Sequence, residues 1–572
     1  MLGRLWQVQV VDGDRYARAA SADHVRHVVV PAVRGRIVDD HGRPLVRNRT
    51  AMTVSVDRTV LDRLPDGGRQ TLRRLAALLG VSRREIEERI RPCDAKTRED
   101  CWAGSPYQPI PVAEAVDERI AMRIVERPER FPGVVTELRP VRDYPQGELA
   151  AHVLGYLAPD GRSGGTGTVG RDGLEAVYEA ELRGTPGVRE LVVDSAGRVT
   201  RTLRERPAVP GATLVTSIDG RVQRAAERAL AKAVTRARKN GRPADSAAAV
   251  VLEARTGRVI ALADLPTYDP SVWVGGIDPK DYARLTSDRQ GGPLLSRAIQ
   301  GQWAPGSTWK VTSLAAAVRE GHPVTGTYEC PGHYRVGDRD FRNYQGVGYG
   351  RIDLRRALEV SCDTIFYRFA YEMWREHPRE HPMARMARAF GFGVKTGIDL
   401  PGEASGNVPC GNWAWPGDAA NFSIGQGQVL VTPLQLARAY AALANGGTVF
   451  SPRVAKRIVA ADGRVVREVT PPVVGHLPIG RKALAYIRRG LTDVTKSGTA
   501  AAAFAGYPLD KRPIAGKTGT AEVYGKQDTS WFASFDRRHV VVVMVAQGGN
   551  GGETAAPAAR DIWSTIHRLK HR

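Results

Sequence analysis

The stretch "PGSTWKVTSLAAAV", residues 305–318, sets Ser307 directly after Pro-Gly and Lys310 three residues on, at the mouth of an alanine- and leucine-rich run that reads as helix. Alone, S-x-x-K means little, because a capping serine followed by a surface lysine is ordinary. Two further stretches change its weight. "ALEVSCDTIFY", residues 357–367, carries Ser361-Cys362-Asp363 where one helix breaks and another begins. "PIAGKTGTAEV", residues 513–523, carries Lys517-Thr518-Gly519-Thr520 between strand-like residues. The ordered set S-x-x-K, S-x-D, K-T-G is far more specific than any one member. K-T-G recurs as Lys395-Thr396-Gly397, in a helix-to-loop stretch. An active-site wall needs a strand, so the copy at 517–519 is the expected functional one.

These residue types fit acyl transfer. A serine at a helix N-terminus has its incipient alkoxide stabilised by free backbone N–H groups and the helix dipole. It needs a base, and a lysine one turn later lies on the same face. That lysine, Lys310, works only when neutral, which burial and a second nearby cation, Lys517, would bring about. Ser361 is suited to relay a proton between Lys310, Lys517 and a leaving amine, and Asp363 to orient the lysines. Lys517 with the hydroxyls of Thr518 and Thr520 makes a receptor for a substrate carboxylate, with Gly519 leaving the approach clear. Backbone N–H groups of Ser307 and Thr520 would form an oxyanion hole, each worth about 2.7–4 kcal/mol.

Outward from these motifs the chain reads as α+β. Residues 1–205 show short alternating runs ("AMTVSVD", "RELVVDSAG") interrupted by one helical segment, "RQTLRRLAALLGVSRREIEERI". "RERPAVPGATLVTSID" reads as a linker leading into a strand, which opens a second domain over 206–572. There, "GRVQRAAERALAKAVTRARK" is amphipathic helix, and "AAAVVLEARTGRVIALAD" is two strands joined at Thr256-Gly257. "WFASFDRRHVVVVMVAQ" is another strand pair, and a closing helix starts near Ala555. Strands at both ends of a helix-rich middle imply a sheet completed by the C-terminal part of the chain.

Composition bounds the rest. A chain of 572 residues is too long for one core. Its net charge of +22 is spread along the whole sequence, with no long basic run and no zinc-finger spacing, which argues against nucleic acid and favours anionic membranes or polymers. No stretch approaches the roughly 20 apolar residues of a spanning helix. Cysteines number five. Cys93 and Cys101 are either a local disulfide or two free thiols, and Cys330 with His333 is a metal half-site at most.

Other catalytic-looking strings fail on context. "GRSGG" (161–165) lies in a glycine-rich loop, where a nucleophile elbow needs a strand before and a helix after. "HPREH" (377–381) is broken by Pro378 and followed by Pro382, so its histidines cannot share one helix face. A phosphate loop at "AGKTGT" would require glycine where Lys511 stands. No cofactor and no metal are expected.

Taken together, the motifs resemble those of the class B penicillin-binding proteins, the monofunctional peptidoglycan D,D-transpeptidases. "VPAVRGRIVDDHGRPLVRN" is similar to the opening of their N-terminal pedestal, and "VGRDGLEAVYEAELRGTPG" to its close. "NFSIGQGQVLVTPLQLARAYAALANGG" is equally characteristic, and Asp363, where many relatives have Asn, resembles the elongation-type branch, penicillin-binding protein 2. The region 403–420 looks shorter than in such relatives. The resemblance implies a β-rich pedestal followed by a serine β-lactamase-like transpeptidase domain, an antiparallel sheet flanked by helices with an all-helical subdomain. It implies stem peptides as substrates, acylation by β-lactams, and a membrane glycan polymerase of the RodA/FtsW type as partner. It places the catalytic domain on the outer face of the cell membrane, with "LGRLWQVQV" similar to the segment just after an anchor helix absent from this chain. A β-lactamase or D,D-carboxypeptidase has no reason to carry such a pedestal, and no deacylating base is identifiable. A non-enzymatic sensor would need transmembrane helices or a protease domain. A bifunctional enzyme would need a glycosyltransferase motif, for which 1–205 is too β-rich.

Overall fold

The computed structural model describes residues 25–93, 101–102, 108–159, 168–193, 199–377, 380–409, 413 and 415–569. "LGRLWQVQV" and "GRSGG" lie outside these. The run "HVVVVMVA" explains the central sheet of the second half. Its alternate residues Val541, Val543 and Val545 belong to one apolar cluster and Val540, Val542 and Met544 to another. A strand apolar on both faces must be covered on both, and it is. The helices Gly220–Lys239 and Ala555–Leu569 pack on one side, with Val222, Ala226, Ile562 and Trp563, and the helix Pro433–Asn445 on the other, with Leu436 and Tyr440.

Five strands form this sheet, in the spatial order Val259–Leu265, Ser246–Glu253, His539–Ala546, Thr529–Phe535 and Ala515–Ala521. All neighbours are antiparallel, and the register Ser246↔Ala546 to Glu253↔His539 joins the two ends of the domain. The K-T-G strand is therefore an edge strand, with one side free to face the S-x-x-K turn.

In the first half, Pro44–Val56 pairs with Val134–Asp143 from Arg47↔Asp143 to Val56↔Val134, and with Ile110–Val116 on its other side. The helical segment read as one piece is two helices, Arg69–Leu79 and Arg83–Ile90. Gly80 ends the first in the left-handed region (φ 72), and the Ser82 side chain accepts from the Glu85 N–H to start the second. The quoted opening and closing stretches of the pedestal meet around Glu175, which is fully buried. Its carboxylate accepts from Arg34 Nε (2.7 Å) and Arg142 Nε (2.7 Å), and Arg142 Nη1 also donates to the Gly35 carbonyl (2.7 Å).

The strand expected after the linker is Thr213–Thr216, and the quoted stretch begins inside another strand, Val199–Arg206. Thr213–Thr216 runs parallel to Ile37–Val38 on one side and antiparallel to Ala455–Val459 on the other, so one mixed sheet holds segments from both halves. Cys93 and Cys101 are bonded, as are Cys330 and Cys362. The second bond removes Cys330 as a thiolate partner for His333. No helix among the described residues is long and apolar enough to cross a membrane.

Candidate active site

Three local features converge. Ser307 sits in the 3-10 turn Gly306–Trp309, which runs on into the helix Lys310–Arg319. Its neighbours Gly306, Thr308, Trp309 and Lys310 are all buried, while Ser307 is partly exposed. Trp309 fixes the turn by packing on Phe392 and Phe422, at 4.7 and 5.2 Å between ring centroids. Ser361 ends the helix Leu354–Val360 in the left-handed conformation (φ 61), rare for a residue with a side chain, and Asp363 begins the helix Thr364–Glu376. Lys517 comes from the edge strand Ala515–Ala521.

The Ser361 hydroxyl is the meeting point. Lys310 Nζ donates to Ser361 Oγ at 3.0 Å and to the Ser361 carbonyl at 2.7 Å. Lys517 Nζ reaches the same Oγ at 2.9 Å and the Thr518 carbonyl at 3.2 Å. Asp363 Oδ1 lies 2.6 Å from Lys310 Nζ. Both lysines are fully buried.

Burial lowers the basicity of both lysines, but their surroundings differ. Asp363 offsets part of the effect at Lys310, whereas the charge on Lys310 adds to it at Lys517, which is pushed well below the ordinary lysine range. The sequence reading made Lys517 the cation that keeps Lys310 neutral. In the structure the Asp363 carboxylate sits on Lys310, so the charged form is less disfavoured at Lys310 than at Lys517.

Gly519 also has a packing reason, besides the open approach expected of it. A Cβ there would stand 2.8 Å from the Pro305 carbonyl oxygen and 2.9 Å from Thr308 Cγ2. A Cβ on Gly306 (φ +53) would meet the Thr520 carbonyl oxygen at 2.6 Å. The two glycines let the edge strand lie directly against the serine turn, so Gly519 serves packing of the protein on itself. The Thr518 hydroxyl lies 2.6 Å from that of Thr499, and Thr520 Oγ1 accepts from the Gly551 N–H at 3.2 Å. At the other K-T-G, Lys395 is exposed, and the Thr396 and Gly397 N–H groups donate to Glu403 at 2.6 and 2.9 Å. That copy is a loop held by a carboxylate.

Sequence reasoning missed Thr499, Asn343 and the Cys330–Cys362 bond beside Ser361. Asn343 has no local pattern to announce it. For the bond, the pair of motif neighbours Ser361 and Asp363 around a cysteine was a usable signal. Among the described residues no group of three or more His, Cys, Asp or Glu side chains could hold a metal ion.

Comparison with known proteins places the chain in a family. The family model described as penicillin binding protein transpeptidase domain matches residues 247–564. The chain belongs to the penicillin-binding proteins. Its residues 29–216 match the penicillin-binding protein dimerisation domain. This penicillin-binding protein is 31% identical to the peptidoglycan D,D-transpeptidase MrdA of Escherichia coli (strain K12) over 617 aligned residues, 99% of this chain and 91% of the relative. It is 30% identical, with a TM-score of 0.72, to a chain of a peptidoglycan synthase complex solved for the coordination of polymerization and crosslinking, covering 99% of this chain and 95% of that one. Pseudomonas aeruginosa PBP2, solved in complex with WCK 5153, is 27% identical with a TM-score of 0.66, covering 95% and 96%. The chain is thus a serine D,D-transpeptidase of α+β fold, similar to penicillin-binding protein 2.

Proposed function

We propose that this penicillin-binding protein cross-links peptidoglycan stem peptides through an acyl-enzyme on Ser307. The observation that carries the assignment is the convergence of two buried lysines and one carboxylate on Ser361, beside the one partly exposed residue of the serine turn. Ser307 Oγ attacks the carbonyl of the penultimate D-alanine, and its proton passes to Lys310. Through the Ser361 hydroxyl that proton reaches the leaving D-alanine amine as the C–N bond breaks. The amine of a second stem peptide then attacks the ester, gives up a proton by the same route, and releases Ser307.

The Asp363 carboxylate beside Lys310 makes the substrate part of the switch. A substrate carboxylate drawn to Lys517, Thr518 and Thr520 favours the charged form of Lys517. Ser361 then carries a proton from Lys310 to Lys517, and Lys310 becomes a neutral base only when substrate is bound. Backbone N–H groups of Ser307 and Thr520 complete the site as oxyanion donors.

β-Lactams enter the same chemistry as acylating agents. Residues 1–205 serve as a docking pedestal for a membrane glycan polymerase of the RodA/FtsW type, with 206–572 as the transpeptidase domain on the outer face of the membrane. The likeness to a chain of a synthase complex supports that partner. Treatment with penicillin, digestion and mass spectrometry are expected to show a stable adduct on the peptide containing Ser307, because no residue is evident to direct a deacylating water. An adduct on another residue would overturn the nucleophile, and one that turns over within seconds would favour a hydrolase.

A further inference from the structure

The helix Thr364–Glu376 begins at Asp363, yet the Asp363 side chain makes no capping hydrogen bond to it. An aspartate at this position ordinarily turns its carboxylate back onto the free N–H groups of the first turn. Here the carboxylate is engaged elsewhere, 2.6 Å from Lys310 Nζ. Another residue meets the two N–H groups at the very head of the helix. Asn343, nearly fully buried, accepts through Oδ1 from the backbone N–H groups of Asp363 (2.8 Å) and Thr364 (3.0 Å). Its Nδ2 donates to the carbonyls of Pro331 (2.9 Å) and Val347 (2.7 Å) and lies 3.3 Å from Cys330 Sγ.

Two donors on one side and two carbonyls on the other call for an amide. A carboxylate would face the carbonyls without a proton, and an apolar side chain would leave four buried groups without this partner. The frame that holds Asn343 also grips the motif directly, through the Cys330–Cys362 bond and through Thr364 Oγ1, which donates to the Pro331 carbonyl at 3.0 Å.

We propose that Asn343 is a positioning residue for the proton-transfer groups: by holding the N–H groups of Asp363 and Thr364, it fixes the backbone that aims the Asp363 carboxylate at Lys310. The proposal rests on the reading of Lys310 and Asp363 given above. Without Asn343, these two N–H groups lose their acceptor, and the backbone that carries Asp363 is free to turn its carboxylate away from Lys310. Besides Asp363, the groups facing Lys310 are Lys517 across Ser361 and the Phe366 ring, 5.5 Å from Nζ.

A double-mutant cycle on the full chain tests this, reading the rate of acylation by a fluorescent penicillin against pH, with a thermal melt for each variant. Asn343→Ala is expected to acylate about 10- to 100-fold more slowly, the scale of a misplaced reacting group. Its acidic limb should move to lower pH, because Lys310 loses the carboxylate that favours its charged form. Asp363→Asn should show the same shift, and adding Asn343→Ala to it should cost nothing further. Asn343→Ser, the milder truncation, runs in parallel so that a folded variant is in hand. Equal costs of Asn343→Ala in both backgrounds, or a lowered melting temperature with an unmoved pH profile, would leave Asn343 a purely structural role and overturn the proposal. A folded Asp363→Asn that acylates at the wild-type rate would overturn the reading of Asp363 beneath it, and the proposal with it.

Discussion

Lys517→Ala protein is expected to fold and to be acylated by penicillin about 10²–10⁴-fold more slowly than the wild type, the scale of losing a positioned proton-transfer group. Lys310→Ala should lose at least as much. The two losses have different origins. In the proposed mechanism Lys310 is the base, whereas Lys517 holds the substrate carboxylate and takes the proton that Lys310 must shed. The residual activity of Lys517→Ala should therefore shift to higher pH: Lys310 stays beside Asp363, which favours its charged form, and has no second amine to receive its proton. Lys395→Ala is the control. Its side chain is exposed on the other K-T-G loop, so the change should cost well under about 1 kcal/mol in stability and leave acylation unchanged. Second-order acylation rates across pH, with melts to verify folding, check the set. Wild-type acylation by folded Lys517→Ala would remove the assignment, and the reverse ranking would move the site to residues 395–397.

Glu175→Ala should destabilise the pedestal by about 3–5 kcal/mol, the scale of breaking a buried ion pair from one side. It strips the shared partner from the nearly buried Arg34 and Arg142, leaving guanidinium groups that cannot reach water without opening the structure. Asn48 and the Gly35 carbonyl still bind Arg142, and Glu179 still binds Arg34 at 2.6 Å, so the arginines are not bare, but the central anion is gone. Limited proteolysis and denaturant unfolding should show the first half opening early. Penicillin acylation of the folded fraction should stay near the wild-type rate, because none of these residues belongs to the lysine–serine cluster. Unchanged protease resistance would mean that the cluster is dispensable.

What could be read in the sequence was what is local. Ser307 at the head of a helix, Ser361 and Asp363 at a helix break, and Lys517 on a strand each announce themselves within a few residues. The structure joins Asp363 through Lys310 to Ser361 and Lys517, and packs the serine turn against the Lys517 strand. The hairpins were equally plain, since the turn at Thr256-Gly257 and the apolar run at 540–546 need only neighbouring residues to interpret. The remainder depends on distance in space. The strand Ile37–Val38 is two residues long and carries no periodicity, so nothing in it predicts pairing with Thr213–Thr216. Asn343 lies in a turn-rich stretch 20 residues before Asp363. That Asp363 favours the charged form of Lys310 turns on a 2.6 Å contact that spacing alone does not provide.

The sheet shared by the two halves has a mechanical meaning. Just past Thr213–Thr216, the Ser217 N–H donates to the Val454 carbonyl (2.8 Å) and its hydroxyl to the Val259 carbonyl (2.7 Å), while the Val259 N–H donates to Arg453 (2.9 Å). Backbone, not a slack tether, thus runs from the pedestal into the hairpin whose far neighbours carry Lys517. A load applied to the pedestal would be borne as a lever bears it, by shear across hydrogen-bonded strands. A fragment begun at residue 206 would lose that lever, and it would bare the side of Thr213–Thr216 that Ile37–Val38 had covered, a row of N–H and C=O groups open to any passing strand.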